Sequence, residues 1–333
     1  MSVNKITDRD YLFLSTMVRA REAKMLTAEA YERMLLAPTY EDAAKVLADW
    51  GFEDMSAYSS AQVEKFLNDR RAAIFAEIAS REPEKGAAEV FELKYDYHNA
   101  KVIIKSRAAG VSGEHMLSAC GRVSPRVMAE AYENDDYRFL PGRLGGAMAE
   151  ARGILARTNN PQLADFCLDK AYFAEIKDLA ANMGGSFLGK YAAILIDSAN
   201  LRAAVRTVRM GRGIEFMKTA LVEGGNVSPE RLMAAAVNEN MAELYSGSVF
   251  AEAGKLGDAA AKGGAMTAFE MACDNAVTEF LKGAKMVSFG DAPVIAYLAA
   301  VEGECTALRM ILTGRLAGIA PENIRERLRV SYV

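Results

Sequence analysis

The sequence predicts an all-α protein built from three similar helical bundles. Three observations carry that reading: helix-forming residues dominate, strand patterns are missing, and one long segment recurs three times. Alanine, leucine, methionine, glutamate and arginine fill the chain, and the eight prolines fall mostly at segment edges. No run of alternating β-branched residues is bounded by turn dipeptides, as a strand would require. Apolar spacing of three and four recurs instead, as in Leu12, Ser15, Val18 and Glu22 giving way to Met25 along the opening segment, which is the helical period.

The repeat is the most informative of the three. Segments starting at Asp96, Asp197 and Glu304 read DYHNAKVIIKSRAAGVSGEHM, DSANLRAAVRTVRMGRGIEFM and ECTALRMILTGRLAGIAPENI. They align without gaps at offsets of 101 and 107 residues. An acid opens each copy, and a base follows five residues later: Lys101, Arg202 and Arg309. Gly110, Gly211 and Gly318 share a column, as do Glu114, Glu215 and Glu322. Acid and base lie about 140° apart on a helix of 3.6 residues per turn, so they cannot pair within their own helix. Each base must look to an acid of a neighbouring copy or to a partner surface.

The apolar positions agree with this register. Val90, Leu93, Tyr97, Ala100 and Ile104 form one face of a long helix. Tyr191, Ile194, Ser198, Leu201 and Val205 occupy the same columns, followed by Leu298, Val301, Cys305, Leu308 and Leu312. Pro83, the Gly184-Gly185 pair and Pro293 precede the long helix as breakers. The glycine column suits its C-terminus, where a left-handed residue is needed. Thr27, Ser124-Pro125 and Ser228-Pro229 each read as the start of a shorter helix, with a hydroxyl at the N-cap. The expected organisation is an N-terminal helix over 1–24, then repeats over 25–121, 122–225 and 226–333.

Composition narrows the function classes. In 333 residues, 51% are apolar and 25% charged, as in ordinary globular proteins. A net charge of −4 gives no basic surface for nucleic acid. The first eight residues lack the apolar core of a secretory signal. The apolar runs from Tyr191 and Val294 stop at Asp197 and Glu302, well short of a membrane span, so a soluble chain is expected. Cys120, Cys167, Cys273 and Cys305 are widely separated, which suits a reducing, cytoplasmic setting.

Candidate chemistry is sparse. Gly184 to Lys190 matches the GxxxxGK phosphate loop, but Tyr191 stands where Ser or Thr would hold Mg²⁺, and the residues before it read as helix. His98 and His115 have no cluster of ligands around them, and Asp135-Asp136 lacks a third acid four residues on, where Phe139 stands. No nucleophile, base and orienter assemble, so no catalytic residue, cofactor or metal is expected. The basic clusters Arg19, Arg21, Lys24 and Arg325, Arg327, Arg329 read as solvated faces or as docking faces for an acidic partner. Two unrelated classes stay open: a helical-repeat adaptor and an all-α enzyme.

These residues resemble the family of V-type ATPase C subunits, related to the eukaryotic d subunit. Tyr11 with Val18-Arg19-Ala20-Arg21-Glu22 looks like its N-terminal helix. Asn200-Leu201-Arg202 and Ala307-Leu308-Arg309 look like its asparagine-leucine-arginine repeats, with Ala307 in place of Asn and Ala100 in place of Leu in the first copy. Gly318 to Leu328, with Pro321-Glu322-Asn323-Ile324-Arg325, looks like its C-terminal signature. The resemblance spans essentially the whole chain. It implies a funnel of three bundles with pseudo-threefold symmetry, a non-catalytic part of the central stalk. Its implied partners are the D and F subunits of the central shaft and the membrane rotor ring of c/K subunits. Its implied place is the cytoplasmic face of the membrane, and its implied task is torque transmission for proton or sodium transport.

Overall fold

Each long helix is the spine on which a set of shorter helices packs. The computed structural model describes residues 7–83, 86–183 and 186–333, and all regular structure among them is helical. The first half comprises α1 (Leu12–Glu22), α2 (Ala28–Leu36), α3 (Tyr40–Val46), α4 (Ser60–Ala79), α5 (Ala87–Ala109), α6 (Pro125–Asn134), α7 (Leu144–Thr158) and α8 (Pro161–Met183). Then come α9 (Ser186–Arg209), α10 (Ile214–Ala220), α11 (Pro229–Val237), α12 (Met241–Leu244), α13 (Ala251–Ala261), α14 (Met266–Lys282), α15 (Asp291–Leu316) and α16 (Pro321–Arg325). The spines are α5, α9 and α15, the three segments that carry the repeat. Gly184 and Gly185, expected as the break before the second spine, lie outside the described residues.

The chain divides into two compact units. One joins the residues up to Pro83 with Ala265–Val333; the other lies between them and ends at Gly264. In the central unit α5 packs against α6, α7 and α8, and α9 against α8, α10, α11 and α13. In the terminal unit α15 packs against α1, α2, α3, α4, α14 and α16. Repeat boundaries read from the sequence fall just beyond each spine, whereas packing groups α5 and α9 with the helices that follow them. The last spine packs with the helices that open the chain. The pseudo-threefold disposition of the copies stays a proposal.

The apolar columns form the cores. All fifteen stripe positions, from Val90 to Leu312, are buried, including Ser198 and Cys305. Burying each large aliphatic side chain contributes about 1.5–3 kcal/mol, so a spine buried on several sides anchors its whole unit. All four cysteines are free thiols. Along α1 the buried face runs through Leu14, Ser15, Val18 and Glu22, while Leu12 is exposed. A 3-10 turn over Asp8–Tyr11 leads into the helix, and Tyr11 fills the core position that periodicity gives to Leu12.

Helix ends follow the expected chemistry. Thr27, Ser124 and Ser228 each accept a hydrogen bond from the backbone N–H three residues on, as N-caps do. Pro293 does not precede α15 but sits in its first turn, where a missing N–H leaves no helical bond unmade. The glycine column closes all three spines in one way. Gly110, Gly211 and Gly318 are left-handed, with φ of 67°, 63° and 69°. The next N–H reaches back five residues to a spine carbonyl: Val111 to Ser106, Arg212 to Thr207 and Ile319 to Gly314, at 3.0, 3.1 and 2.9 Å. This is the Schellman closure, and it uses carbonyls that the helix end would otherwise leave unpaired.

A Cβ added at any of the three glycines would meet nothing within 4 Å, so only the backbone opposes a substitution. Gly110→Ala, Gly211→Ala and Gly318→Ala should each lower unfolding free energy by about 1–2 kcal/mol, the cost of a left-handed non-glycine residue. Urea denaturation of the three variants checks this; equal stability to the parent chain would contradict it.

Candidate functional site

The repeated acids are buried and hold loops. Asp96 lies on α5 with no exposed surface. Its Oδ1 accepts the Val123 N–H at 3.1 Å, and its Oδ2 accepts Arg122 Nε at 2.7 Å. On α9, Asp197 Oδ1 accepts the Val227 N–H at 3.1 Å, while Oδ2 accepts Asn226 N at 3.1 Å and Nδ2 at 2.8 Å. On α15, Glu304 Oε1 accepts the Leu26 N–H at 3.1 Å. Val123, Val227 and Leu26 each immediately precede an N-cap: Ser124, Ser228 and Thr27. One acid per spine therefore fixes the entry of a short helix onto that spine.

Loop composition follows from this contact. A Cβ at Gly121 would lie 2.4 Å from Asp96 Oδ1, and one at Gly225 would lie 2.2 Å from Asp197 Oδ1. No side chain fits either place. In the terminal unit the longer Glu304 serves instead, and Lys24 takes the corresponding loop position. Burial raises the pKa of all three acids. At Asp96 and Asp197 burial outweighs the opposing hydrogen bonds, and at Glu304 it outweighs the Leu26 N–H and the Arg70 charge.

An asparagine column adds a second tie. Asn99 Nδ2 donates to the Ser118 carbonyl at 2.8 Å and its Oδ1 accepts the Ser118 N–H at 2.9 Å. Asn200 repeats the pair on Val222, at 2.7 and 2.8 Å. Both amides are buried, and each satisfies the N–H and the C=O of one loop residue at once. Three residues after each acid, the first two copies carry asparagine and the third carries Ala307. That column was visible in the aligned segments, but nothing in a sequence says what an asparagine faces.

Two of the three bases pair with acids on other helices, not with the acids of their own copies. Lys101 pairs with Asp169 on α8, and Arg309 Nε lies 2.8 Å from Glu64 on α4. Arg202 is half-buried on α9. The structure thus separates the inward acids Asp96, Asp197 and Glu304 from the helix-bridging bases Lys101 and Arg309. In the central unit Arg122 gathers further acids, with Nη1 at 2.8 Å from Glu89 and 2.9 Å from Glu175. Tyr97 donates to Glu175 at 2.8 Å. Burial works against the Arg122 charge, but its bonds to Asp96 and Glu89 outweigh it and raise the guanidinium's pKa.

Four arginines of the basic clusters are tied within the chain. Arg19 pairs with Glu22 at 2.6 Å and donates to the carbonyls of Ala284 and Val287. Arg21 pairs with Glu77, Arg325 with Glu32 and Arg329 with Asp274. For these four arginines an internal contact replaces the solvated or docking role expected of the clusters, whereas Lys24 and Arg327 are exposed. Asp135 pairs with Arg152 and Asp136 with Arg138, at 2.9 and 2.7 Å, and His98 Nε2 lies 2.8 Å from the Met116 carbonyl. A helix, α8, runs up to Met183 ahead of the GxxxxGK segment where a phosphate loop would have a strand.

The profile of the ATP synthase (C/AC39) subunit family matches residues 14–327, nearly the whole chain. The chain belongs to that family. It is 22% identical over 336 residues to the C subunit of the V-type sodium ATPase of Enterococcus hirae, covering 97% of this chain and 99% of that one. It is 24% identical to the C subunit of the A-type ATP synthase of Methanocaldococcus jannaschii, covering 96% and 86%. The C subunit of the V-type ATP synthase of Thermus thermophilus is 21% identical, with 96% and 98% covered. The chain is thus a rotary ATPase component of the C type. Among the described residues no helix is long and apolar enough to cross a membrane.

Removing an asparagine tie should be costly, because it strands a buried N–H and a buried C=O together. Asn200→Ala should destabilise the chain by about 2–4 kcal/mol, summing two unsatisfied backbone groups. Denaturant unfolding and amide exchange at Val222 check it; a loss below about 0.5 kcal/mol would show that the pair contributes little.

Proposed function

We propose that this chain is the non-catalytic central-stalk coupler of a V-type ATPase or ATP synthase. It links the D/F shaft to the membrane rotor ring and transmits torque for proton or sodium transport. The observation that carries the reading is the family match along nearly the full length. The geometry supports it. A torque-bearing part needs helices that do not slide on one another, and here acids tie each spine to the entry of a short helix. A peripheral position on the cytoplasmic face follows from the same reading. So does the expectation that the isolated chain neither hydrolyses ATP nor binds it tightly.

A membrane preparation lacking this chain tests the reading. ATP hydrolysis should persist while ATP-driven ion uptake into vesicles is lost, and adding the purified chain should restore uptake. Coupled uptake without the chain, or its failure to co-purify with shaft and ring, refutes the reading.

We assign the base column to internal bridging, supported by the Lys101–Asp169 and Arg309–Glu64 pairs. Reversing Lys101, Arg202 and Arg309 together to glutamate should lower the melting temperature by several degrees, before any partner affinity changes. An unchanged melting temperature with weakened, less salt-sensitive partner binding would place the bases at a partner surface.

A further inference from the structure

The central unit holds a cleft that its internal ties do not fill. About 490 Å³ lies between α8 on one side and, on the other, the end of α10, the loop after it and the start of α11. That volume is within the range of small-molecule sites, about 300–1,000 Å³. Lys170, Ala174, Lys177 and Asp178 of α8 line it, at the spacing of one helix face. Across from them Leu221, Val222 and Pro229 are buried, which makes the floor apolar.

The walls are fixed from behind. Asn200 holds Val222 through both of its backbone groups, and Asp197 holds Val227, the residue before the cap of α11. Arg143 on the rim pairs with Asp178 at 2.7 Å, and its own N–H donates to Glu175 at 3.3 Å. Lys177 lies along the loop, with Nζ 3.5 Å from the Glu223 carbonyl. Gly224 makes room for it: φ there is 106°, and a Cβ would sit 2.5 Å from Lys177 Nζ. A site shaped in advance loses little freedom when a ligand enters.

Two charges in the cleft serve no internal contact. Lys170 and Lys218 are exposed, and among the described residues neither forms an ion pair, unlike Lys101 and Lys105. They stand at one end of the cleft. Phe166, one turn before Lys170, meets Phe216, two residues before Lys218, at 5.7 Å between ring centres. Glu223 and Glu230, on the loop and on α11, also border the cleft and oppose further negative charge. A polyanion such as a nucleoside triphosphate is therefore a poor match. So is an anionic bilayer, because these acids repel it and the apolar residues are recessed.

We propose that this cleft binds a small soluble organic anion, its charged group between Lys170 and Lys218 and its apolar body on Leu221, Val222 and Pro229. Such a ligand bridges α8 and the loop that Asn200 and Asp197 tie to α9, and it stabilises the central unit by mass action. The site needs the central unit alone, so it stands or falls independently of the central-stalk reading.

Calorimetry and thermal unfolding of the full chain with hexyl phosphate test this, with inorganic phosphate and hexanol as the two halves of the probe. Hexyl phosphate should bind one to one with a Kd of about 1 mM or below and raise the melting temperature. Each half alone should bind at least about tenfold more weakly. Lys170→Gln and Lys218→Gln should each weaken hexyl phosphate binding by about tenfold. The melting temperature of the free chain should not change in either, since neither lysine pairs within the chain. Lys24→Gln, at an exposed lysine of the terminal unit, should leave binding as it was. Equal affinity for hexyl phosphate and inorganic phosphate, or an equal loss in all three variants, reduces the effect to general charge attraction and overturns the site. The absence of hexyl phosphate binding does the same. Tight binding of ATP, or sedimentation with anionic vesicles, that disappears in the double variant overturns the ligand class.

Discussion

A buried carboxylate that accepts a loop N–H is the contact on which each packed set of helices depends. Spine and short helix meet at an angle that apolar contact alone would leave soft, since side chains of similar size can repack across it. A hydrogen bond to the N–H just before the N-cap removes that freedom. It sets both where the short helix starts and how far along the spine it sits. The N-cap hydroxyl of Thr27, Ser124 or Ser228 then begins the helix from a point already placed.

Burying an acid opposes folding, and the three spines offset this differently. Asp96 has Arg122 at 2.7 Å, and that guanidinium is in turn held by Glu89 and Glu175. Asp197 is surrounded by neutral donors from Asn226 and Val227. Glu304 has one backbone donor, with Arg70 4.0 Å away. The residue before the tethered N–H is accordingly Arg122, Asn226 or Met25. A column can keep its structural task while the residue beside it changes, provided the buried charge still finds donors. Such drift leaves a repeat readable in four columns and almost unreadable elsewhere.

Much of the fold was legible for this reason. Helical periodicity placed the core stripes, and glycine and N-cap hydroxyls placed spine ends and short-helix starts, because those roles depend on local backbone geometry. Periodicity misplaced only Leu12, where a 3-10 turn shifts the phase. Which helices gather around α15 was not legible, since contact with the N-terminal helices joins residues almost a chain length apart. The acid and base columns were visible as columns. Their partners were not: an aspartate destined for a backbone N–H and one destined for a lysine look alike in sequence. The basic clusters show the same blindness, as Arg19 and Arg325 gave no sign that they bind within the chain.

The distribution of charge bears on the kind of work such a body performs. Here the acids with raised pKa values are buried against loop amides, and many of the arginines bridge helices of their own chain. Polar chemistry spent on internal geometry produces stiffness and register. Buried polar groups that tie spine to short helix oppose sliding of one helix on another, which is the stiffness that the proposed coupling role requires.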